Sequence, residues 1–268
     1  MRPLSEMPVA DAARIRLVLT DIDDTLTCDG RLPADAYRAL EDLTNAGFIV
    51  APVTGRPAGW CDLIARFWPV AGVVGENGAL YFAYDPAART MRRVFAAPAA
   101  ERVANRARLD AIRARILAEV PGAAVSADQA FREADLAIDF CEDVPPLDMA
   151  AVARIKAIFE AAGAVAKISS IHVNGWFGDY DKLSMTRRFA HDVAGLDIDG
   201  DGNDRVVFVG DSPNDAPLFG FFRHACGVSS VRRFAGLLDA EPAYVTQGGG
   251  GDGFVEVARR LLAARAAA

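Results

Sequence analysis

Short apolar runs alternate with amphipathic stretches through the first third of the chain. Arg16 to Thr20, rich in Leu and Val, stops at acidic residues, which predicts a buried strand followed by a loop. Ala36, Leu40 and Leu43 within Pro33 to Ala46, closed by Gly47, have the spacing of an amphipathic helix, and Phe48 to Val53 reads as the next strand. Cys61 to Phe67 predicts a helix and Val70 to Val74 another buried strand; Asn77-Gly78 is a two-residue turn signal leading into Ala79 to Tyr84. Strands alternating with helices in this way imply a parallel sheet.

After Asp85-Pro86 the pattern changes. Two long helical stretches, Ala99 to Val120 and Leu147 to Ala162, alternate with short strand candidates at Arg92 to Phe95, Leu136 to Phe140 and Val165 to Asn174. From Lys182 the first pattern resumes. A helix runs to Ala194, a polar acidic loop covers Asp197 to Asp204, and strands follow at Val206 to Val209, Cys226 to Val228 and Ala243 to Thr246, before a last helix from Val255 to Ala264. The expected class is therefore α/β: a parallel-sheet core from residues 1–84 and 181–268, interrupted by an inserted α/β domain over 85–180. Gly248 to Gly251, the one low-complexity stretch, lacks the GK[ST] ending of a phosphate loop and reads as a flexible turn.

Composition narrows the setting. With 268 residues and 52% hydrophobic content the chain can bury a substantial core, yet its apolar runs are far shorter than a bilayer span, and Met1 to Ala13 has no apolar signal core. Cys28, Cys61, Cys141 and Cys226 are widely spaced with no CxxC pair, so a reducing cytoplasm is the expected location. The net charge of -7 argues against nucleic acid as a partner, and no membrane partner is expected. The Arg-rich stretch from Arg102 to Arg115 reads as the solvated face of a helix. Of 29 basic residues only Lys156, Lys167 and Lys182 are lysine, which draws attention to Lys182.

Four separated patches suggest one phosphoryl-transfer site: Asp21 to Thr25, Thr54 to Arg56, Asp181-Lys182, and Gly210 to Asp215. Each follows an apolar run or joins two segments, where a parallel sheet brings its loops to a common edge. Asp21 and Asp23 lie one residue apart just past a strand. Such a pair can divide the work of ester cleavage, one carboxylate attacking phosphorus and the other protonating the leaving oxygen and then activating water. Asp211 can join Asp21 at a magnesium ion, a hard cation that prefers oxygen ligands, with Asn214 and Asp215 orienting it from behind. Thr54 offers a hydroxyl to phosphate oxygens, Gly55 lets the backbone approach closely, and Lys182 can neutralise phosphate and hold Asp21. Taken singly, each patch is as well explained by a turn, a cap or a surface lysine.

Together the patches resemble the haloacid-dehalogenase-like superfamily over nearly the whole chain. An apolar strand with DxDxT fits Leu17 to Thr25, a strand-ending Thr fits Thr54, a lysine fits Lys182, and GDxxND fits Gly210 to Asp215. The insertion looks like the α/β cap of the Cof-like, or type IIB, branch. This resemblance implies a Rossmann-like core in which Asp21 is the nucleophile, Asp23 the general acid and base, Thr54 and Lys182 phosphate holders and Asp211 a metal ligand. The backbone carbonyl of Asp23 would be a further ligand. The presence of Asp23 favours phosphate chemistry over dehalogenation. Three positions depart from the family pattern: Asp24 and Leu183 where glycine is common, and Ser229-Ser230 where Ala-Asn is common.

The resemblance also implies that the cap selects the leaving group. Ser170, His172 and Asn174 alternate along a predicted strand and would share a face, so with Trp176, and with Asn77 on the core loop opposite, they are the specificity candidates. The expected activity is magnesium-dependent hydrolysis of a small phosphorylated metabolite, such as a sugar phosphate. The alternatives are a sugar phosphomutase, a phospho-aspartate switch of the receiver type and a catalytically silent phosphate-binding regulator. Oligomeric state is not legible in the sequence.

Overall fold

The computed structural model describes residues 1–267. A short strand β1 (Arg2–Pro3) and helix α1 (Val9–Arg14) precede β2 (Leu17–Thr20), α2 (Ala34–Asn45), β3 (Ile49–Pro52), α3 (Ala58–Phe67), β4 (Val73–Gly75) and the hairpin β5 (Leu80–Asp85) and β6 (Thr90–Phe95). Next come α4 (Ala99–Glu119), β7 (Ala124–Val125), β8 (Leu136–Asp139), α5 (Met149–Ala161), β9 (Val165–Ile168) and β10 (His172–Trp176). The chain then returns through α6 (Lys182–Phe189), β11 (Val206–Gly210), α7 (Ala216–Phe221), β12 (His224–Gly227), β13 (Tyr244–Val245) and α8 (Gly250–Ala266).

Six strands form a wholly parallel sheet in the order β1-β13-β12-β11-β2-β3. Both faces are covered, so its strands are apolar on both sides. Val18, Val207 and Val209 meet Leu40 and Leu43 of α2 and Phe254 and Leu261 of α8, whereas Leu17, Leu19, Val206 and Phe208 meet Met185 and Phe189 of α6 and Leu218 of α7. This is the doubly wound arrangement, and the adjacent strands β3, β2 and β11 deliver their carboxyl ends to one edge.

A second, antiparallel sheet in the order β7-β8-β10-β9 carries α4 and α5 and has its own core, including Leu109, Ile116, Ile138, Ile155, Phe159 and Val173. Gly175 is placed for this packing, since a Cβ there would lie 2.1 Å from the Phe159 ring. Among the described residues, no helix is long and apolar enough to cross a membrane.

Three details differ from the sequence-based expectation. The strand at Arg92 to Phe95 pairs with β5, from Leu80↔Phe95 to Asp85↔Thr90, so the expected boundary between residues 84 and 85 falls inside one hairpin. Phe82, Met91 and Phe95 pack against the core cluster and hold that hairpin there. The stretch from Val165 to Asn174 is a hairpin rather than one strand, turned at Ser169, whose Oγ accepts from the amides of Ile171 and His172. The glycine run leads into α8, whose first turn begins at Gly250, rather than forming a flexible turn. Cβ atoms at Gly250 and Gly251 would lie 2.5 Å and 2.9 Å from the carbonyls of Thr27 and Leu26, so glycine lets the helix abut the loop that carries Asp21.

Candidate active site

The loop after β2 begins where the ladder ends: Asp21 donates its amide to Val209 on β11 at 2.8 Å. Within that loop Asp24 has φ of 56°, the left-handed region that the glycine of related patterns adopts freely and that Asp tolerates better than most residues. Its amide donates to Thr27 Oγ1 at 2.9 Å, closing the turn. Thr54, fully buried after β3, accepts the Arg56 amide on its hydroxyl at 3.0 Å, leaving the hydroxyl proton free to donate. Lys182 is the first residue of α6, fixed by a capping box in which Asp181 accepts from the Ser184 amide and Ser184 Oγ accepts from the Asp181 amide.

These elements bring Lys182, Asp21, Asp211 and Asp215 together. The Lys182 ammonium donates to Asp21 Oδ1 at 3.0 Å and to Asp215 Oδ1 at 2.8 Å, and all three side chains are buried. Asp215 Oδ2 accepts from the amides of Asp211 and Ser212, so both of its oxygens are engaged in holding the loop and the lysine. Asp211 accepts from Thr25 Oγ1 at 3.3 Å through Oδ1, whereas its Oδ2 is buried and unpartnered. One oxygen each from Asp21, Asp211 and Asp215 lie within 4.8 Å of one another. Burial pushes the Asp21 carboxyl up to about 8, with the charges of Asp215 and Asp23 adding to it against the pull of Lys182. Burial likewise raises Asp211 well above the usual range, helped by Asp215 and Asp21. For Lys182 burial is outweighed by Asp21 and Asp215, which hold it protonated.

A hard divalent cation fits this set. It would supply the missing partner of Asp211 Oδ2 and offset the excess of carboxylates over the single ammonium, and the donors are oxygens of the kind magnesium prefers. Because Asp215 is already committed, Asp21 and Asp211 are the side chains with ligating capacity to spare.

The cavity above them is lined from the core by Asp21, Asp23, Gly55, Arg56, Ser212 and Asn214, and from the opposite sheet by Ser169, Ser170, Ile171, His172 and Asn174. Its free space, about 10 Å³, is roughly that of one water. Ser170 reaches it from the β9–β10 turn, not from a strand face shared with His172 and Asn174. Asn174 Nδ2 donates to Asp135 at 2.9 Å, and Asn214 Oδ1 accepts from Ser212 Oγ at 2.8 Å. Trp176 is not in the cavity wall; it is buried, stacked on Tyr180, with its Nε1 donating to the Tyr180 carbonyl. Asn77 is buried behind Gly55, where its side chain would lie 3.2 Å from an added Cβ.

The contacts that several residues make here have no signal in the sequence pattern. Arg56 donates through Nε and Nη2 to Asp23, and its Nη2 also reaches Glu142 of the opposite sheet's loop at 2.7 Å. Glu76 accepts from the Ala58 amide and from the amides of Glu133, Ala134 and Asp135. Arg132, fully buried against Asp128 and Asp135, donates to the Gly55 carbonyl at 2.9 Å. The contacts of Arg56 with Asp23 and Glu142, of Glu76 with Glu133 to Asp135, and of Arg132 with Gly55 join segments tens of residues apart, so only the folded chain reveals them.

No protein-family model matches the chain, and no curated protein does. Solved structures do. A Thermoplasma acidophilum protein has a TM-score of 0.69 at 18% identity, covering 92% of this chain and 98% of its own. A HAD/COF-like protein from Plasmodium vivax has a TM-score of 0.68 at 16% identity, over 96% and 99%. The sucrose-phosphatase of Synechocystis, solved with sucrose and phosphate, has a TM-score of 0.62 at 15% identity, over 91% and 97%. At these identities the likeness shows the fold: a Rossmann-like parallel core carrying an α/β cap, shared over almost the full length of each chain.

Proposed function

We propose that the chain is a magnesium-dependent phosphomonoester hydrolase of the haloacid-dehalogenase-like superfamily, in its Cof-like branch. Its substrate would be a small cytoplasmic phosphorylated metabolite, with sugar phosphates as the first class to test. The observation that carries this reading is the buried cluster at the carboxyl ends of β2 and β11, where Lys182 bridges Asp21 and Asp215 and Asp211 keeps an unpartnered oxygen. The core is 1–84 and 181–268 with the β5–β6 hairpin added to it, and the remainder of the insertion is the cap. The sucrose-phosphatase neighbour and the hydroxyl-, imidazole- and amide-bearing cap wall of Ser169, Ser170, His172 and Asn174 support a polyhydroxy leaving group.

In this reading Asp21 attacks phosphorus and forms an aspartyl-phosphate. Asp23 gives a proton to the departing oxygen, then takes one from the water that hydrolyses the intermediate. Lys182, the Thr54 hydroxyl and the backbone at Gly55 hold the phosphoryl oxygens, and Asp215 and Asn214 fix the Asp211 loop. The ion would be held by Asp21, Asp211 and the Asp23 carbonyl, and bound there it supplies positive charge against that of the phosphoryl group. The cavity between the two sheets is narrow, and opening of the cap would admit the substrate.

The test is phosphate release from p-nitrophenyl phosphate with and without magnesium. Wild type should turn over only with the ion, and Asp21→Asn should lose at least about 10³-fold in kcat. Equal activity of Asp21→Asn would remove the nucleophile assignment. Hexose 1-phosphate converted to an isomer without free phosphate would make the chain a mutase.

A further inference from the structure

The geometry points to Glu142 of the cap and Arg56 of the core as a positioning pair that sets the carboxylate of Asp23 only while the cap is closed. This inference rests on the phosphatase reading, in which Asp23 is the general acid.

Arg56 is bound on every side. Its Nε donates to both Asp23 oxygens at 3.0 Å, its Nη2 to Asp23 Oδ1 at 2.8 Å, and its Nη1 lies 3.5 Å from Asp128 Oδ2. The same Nη2 donates to Glu142 Oε1 at 2.7 Å. The Trp60 ring covers the guanidinium at 4.4 Å, and the Arg56 side chain is 6% exposed. On the far side, Glu142 Oε2 lies 2.9 Å from His172 Nε2. The Glu142 amide donates to Asp139 Oδ1 at 2.8 Å, which fixes Glu142 to the end of β8 and so to the cap. A relay thus runs His172–Glu142–Arg56–Asp23 from the substrate-facing cap strand to the acid.

The chemistry makes this placement consequential. In the first half-reaction an Asp21 oxygen bonds to phosphorus while the ester P–O bond breaks. The electron pair leaves with the ester oxygen, and the Asp23 proton goes to that oxygen. The more basic the leaving oxygen, the more the step depends on where Asp23 is held. Nε and Nη2 of Arg56 both donate to Asp23 Oδ1, a two-bond hold that leaves Oδ2 to carry the proton, but a guanidinium on a flexible stem needs a second anchor. Glu142 is that anchor, and cap opening carries it away. Asp23 is therefore held by Arg56 alone while the site is open and by the anchored pair once the cap has closed over a substrate.

The test compares kcat/KM for phenyl phosphate and p-nitrophenyl phosphate with magnesium, since kcat/KM reports the steps through departure of the leaving group. The two esters are similar in shape, but phenolate is the more basic leaving group. Glu142→Ala should lose about 10- to 100-fold on phenyl phosphate, and at least about fivefold less on p-nitrophenyl phosphate. Arg56→Lys, which keeps the charge and loses the two-bond hold, should show the same bias. Arg56→Lys/Glu142→Ala should lose no more than Arg56→Lys alone, because Glu142 acts through Arg56. Equal losses on both esters, or additive losses in the double variant, would overturn the inference while leaving the phosphatase reading intact. A wild type that releases phosphate from neither ester would overturn that reading instead.

Discussion

At the scale of single residues, Lys182 is where charge balance is decided. It is the one ammonium among Asp21, Asp215 and Asp211, all buried. Replacing it with Met leaves carboxylates with no counter-charge in a desolvated site. The expected cost is about 3–5 kcal/mol, measured by urea unfolding in the presence of a chelator. Magnesium should return part of that loss, and should stabilise wild type by about 2.7 kcal/mol at a hundredfold excess over its Kd. A Lys182→Met protein as stable as wild type would mean that the carboxylates are held by something else. Lys182, Asp21 and Asp211 were legible in the sequence because each follows a recognisable strand or opens a helix, and a parallel sheet gathers such points. Glu142 was not. It lies 86 residues from Arg56 and owes its place to the docking of one sheet on another, which no local pattern encodes.

At the scale of elements, the placement of Lys182 depends on how α6 begins. The Asp181–Ser184 capping box fixes the first turn, and the turn at Asn77-Gly78 packs directly against it. Gly78 has φ of 103°, and a Cβ there would lie 1.9 Å from the Asp181 carbonyl oxygen. Gly78→Ala therefore meets both backbone strain and a collision that no rotamer relieves. It should cost about 2–4 kcal/mol in thermal or urea unfolding and displace the start of α6, lowering phosphatase activity beyond the stability loss. A Gly78→Ala protein with wild-type stability would show that the turn can move away at little cost. The sequence identified this turn from its Asn-Gly pair, but not what it packs against. The same limit explains the glycine run, read as a loose turn, where close approach of α8 to Leu26 and Thr27 is the actual demand. It also explains β9 and β10, where Ser169 turns a chain that alternates like one strand.

At the scale of the whole molecule, the proposed phosphatase cycle needs the cap to leave the core and return, and the contacts that oppose leaving are charged. The Glu76 carboxylate takes three cap amides, Arg132 reaches the Gly55 carbonyl, and Glu142 shares the Arg56 guanidinium. Burial would raise the Glu142 carboxyl, but the His172 ring 2.9 Å away and the hydrogen-bonded Arg56 guanidinium outweigh it and bring it down to about 2 from an ordinary 4.5. In the open cap Arg56 is gone while His172, on the same sheet, stays, so the carboxyl there rises part of the way back towards its ordinary value. A carboxyl that closure lowers favours closure fully above its open-cap value, and that contribution is lost as pH falls through that value towards 2. Hydrogen exchange at the amides of Glu133, Ala134 and Asp135, which close on Glu76, reports cap opening directly. Protection there, corrected for the intrinsic rate, should decline in wild type across that acid window. Glu142→Gln has no carboxyl to titrate, so it should start with less protection at pH 7 and show a shallower decline. If the two proteins instead lose protection in parallel, closure is governed by the remaining carboxylates and Glu142 is not part of the latch.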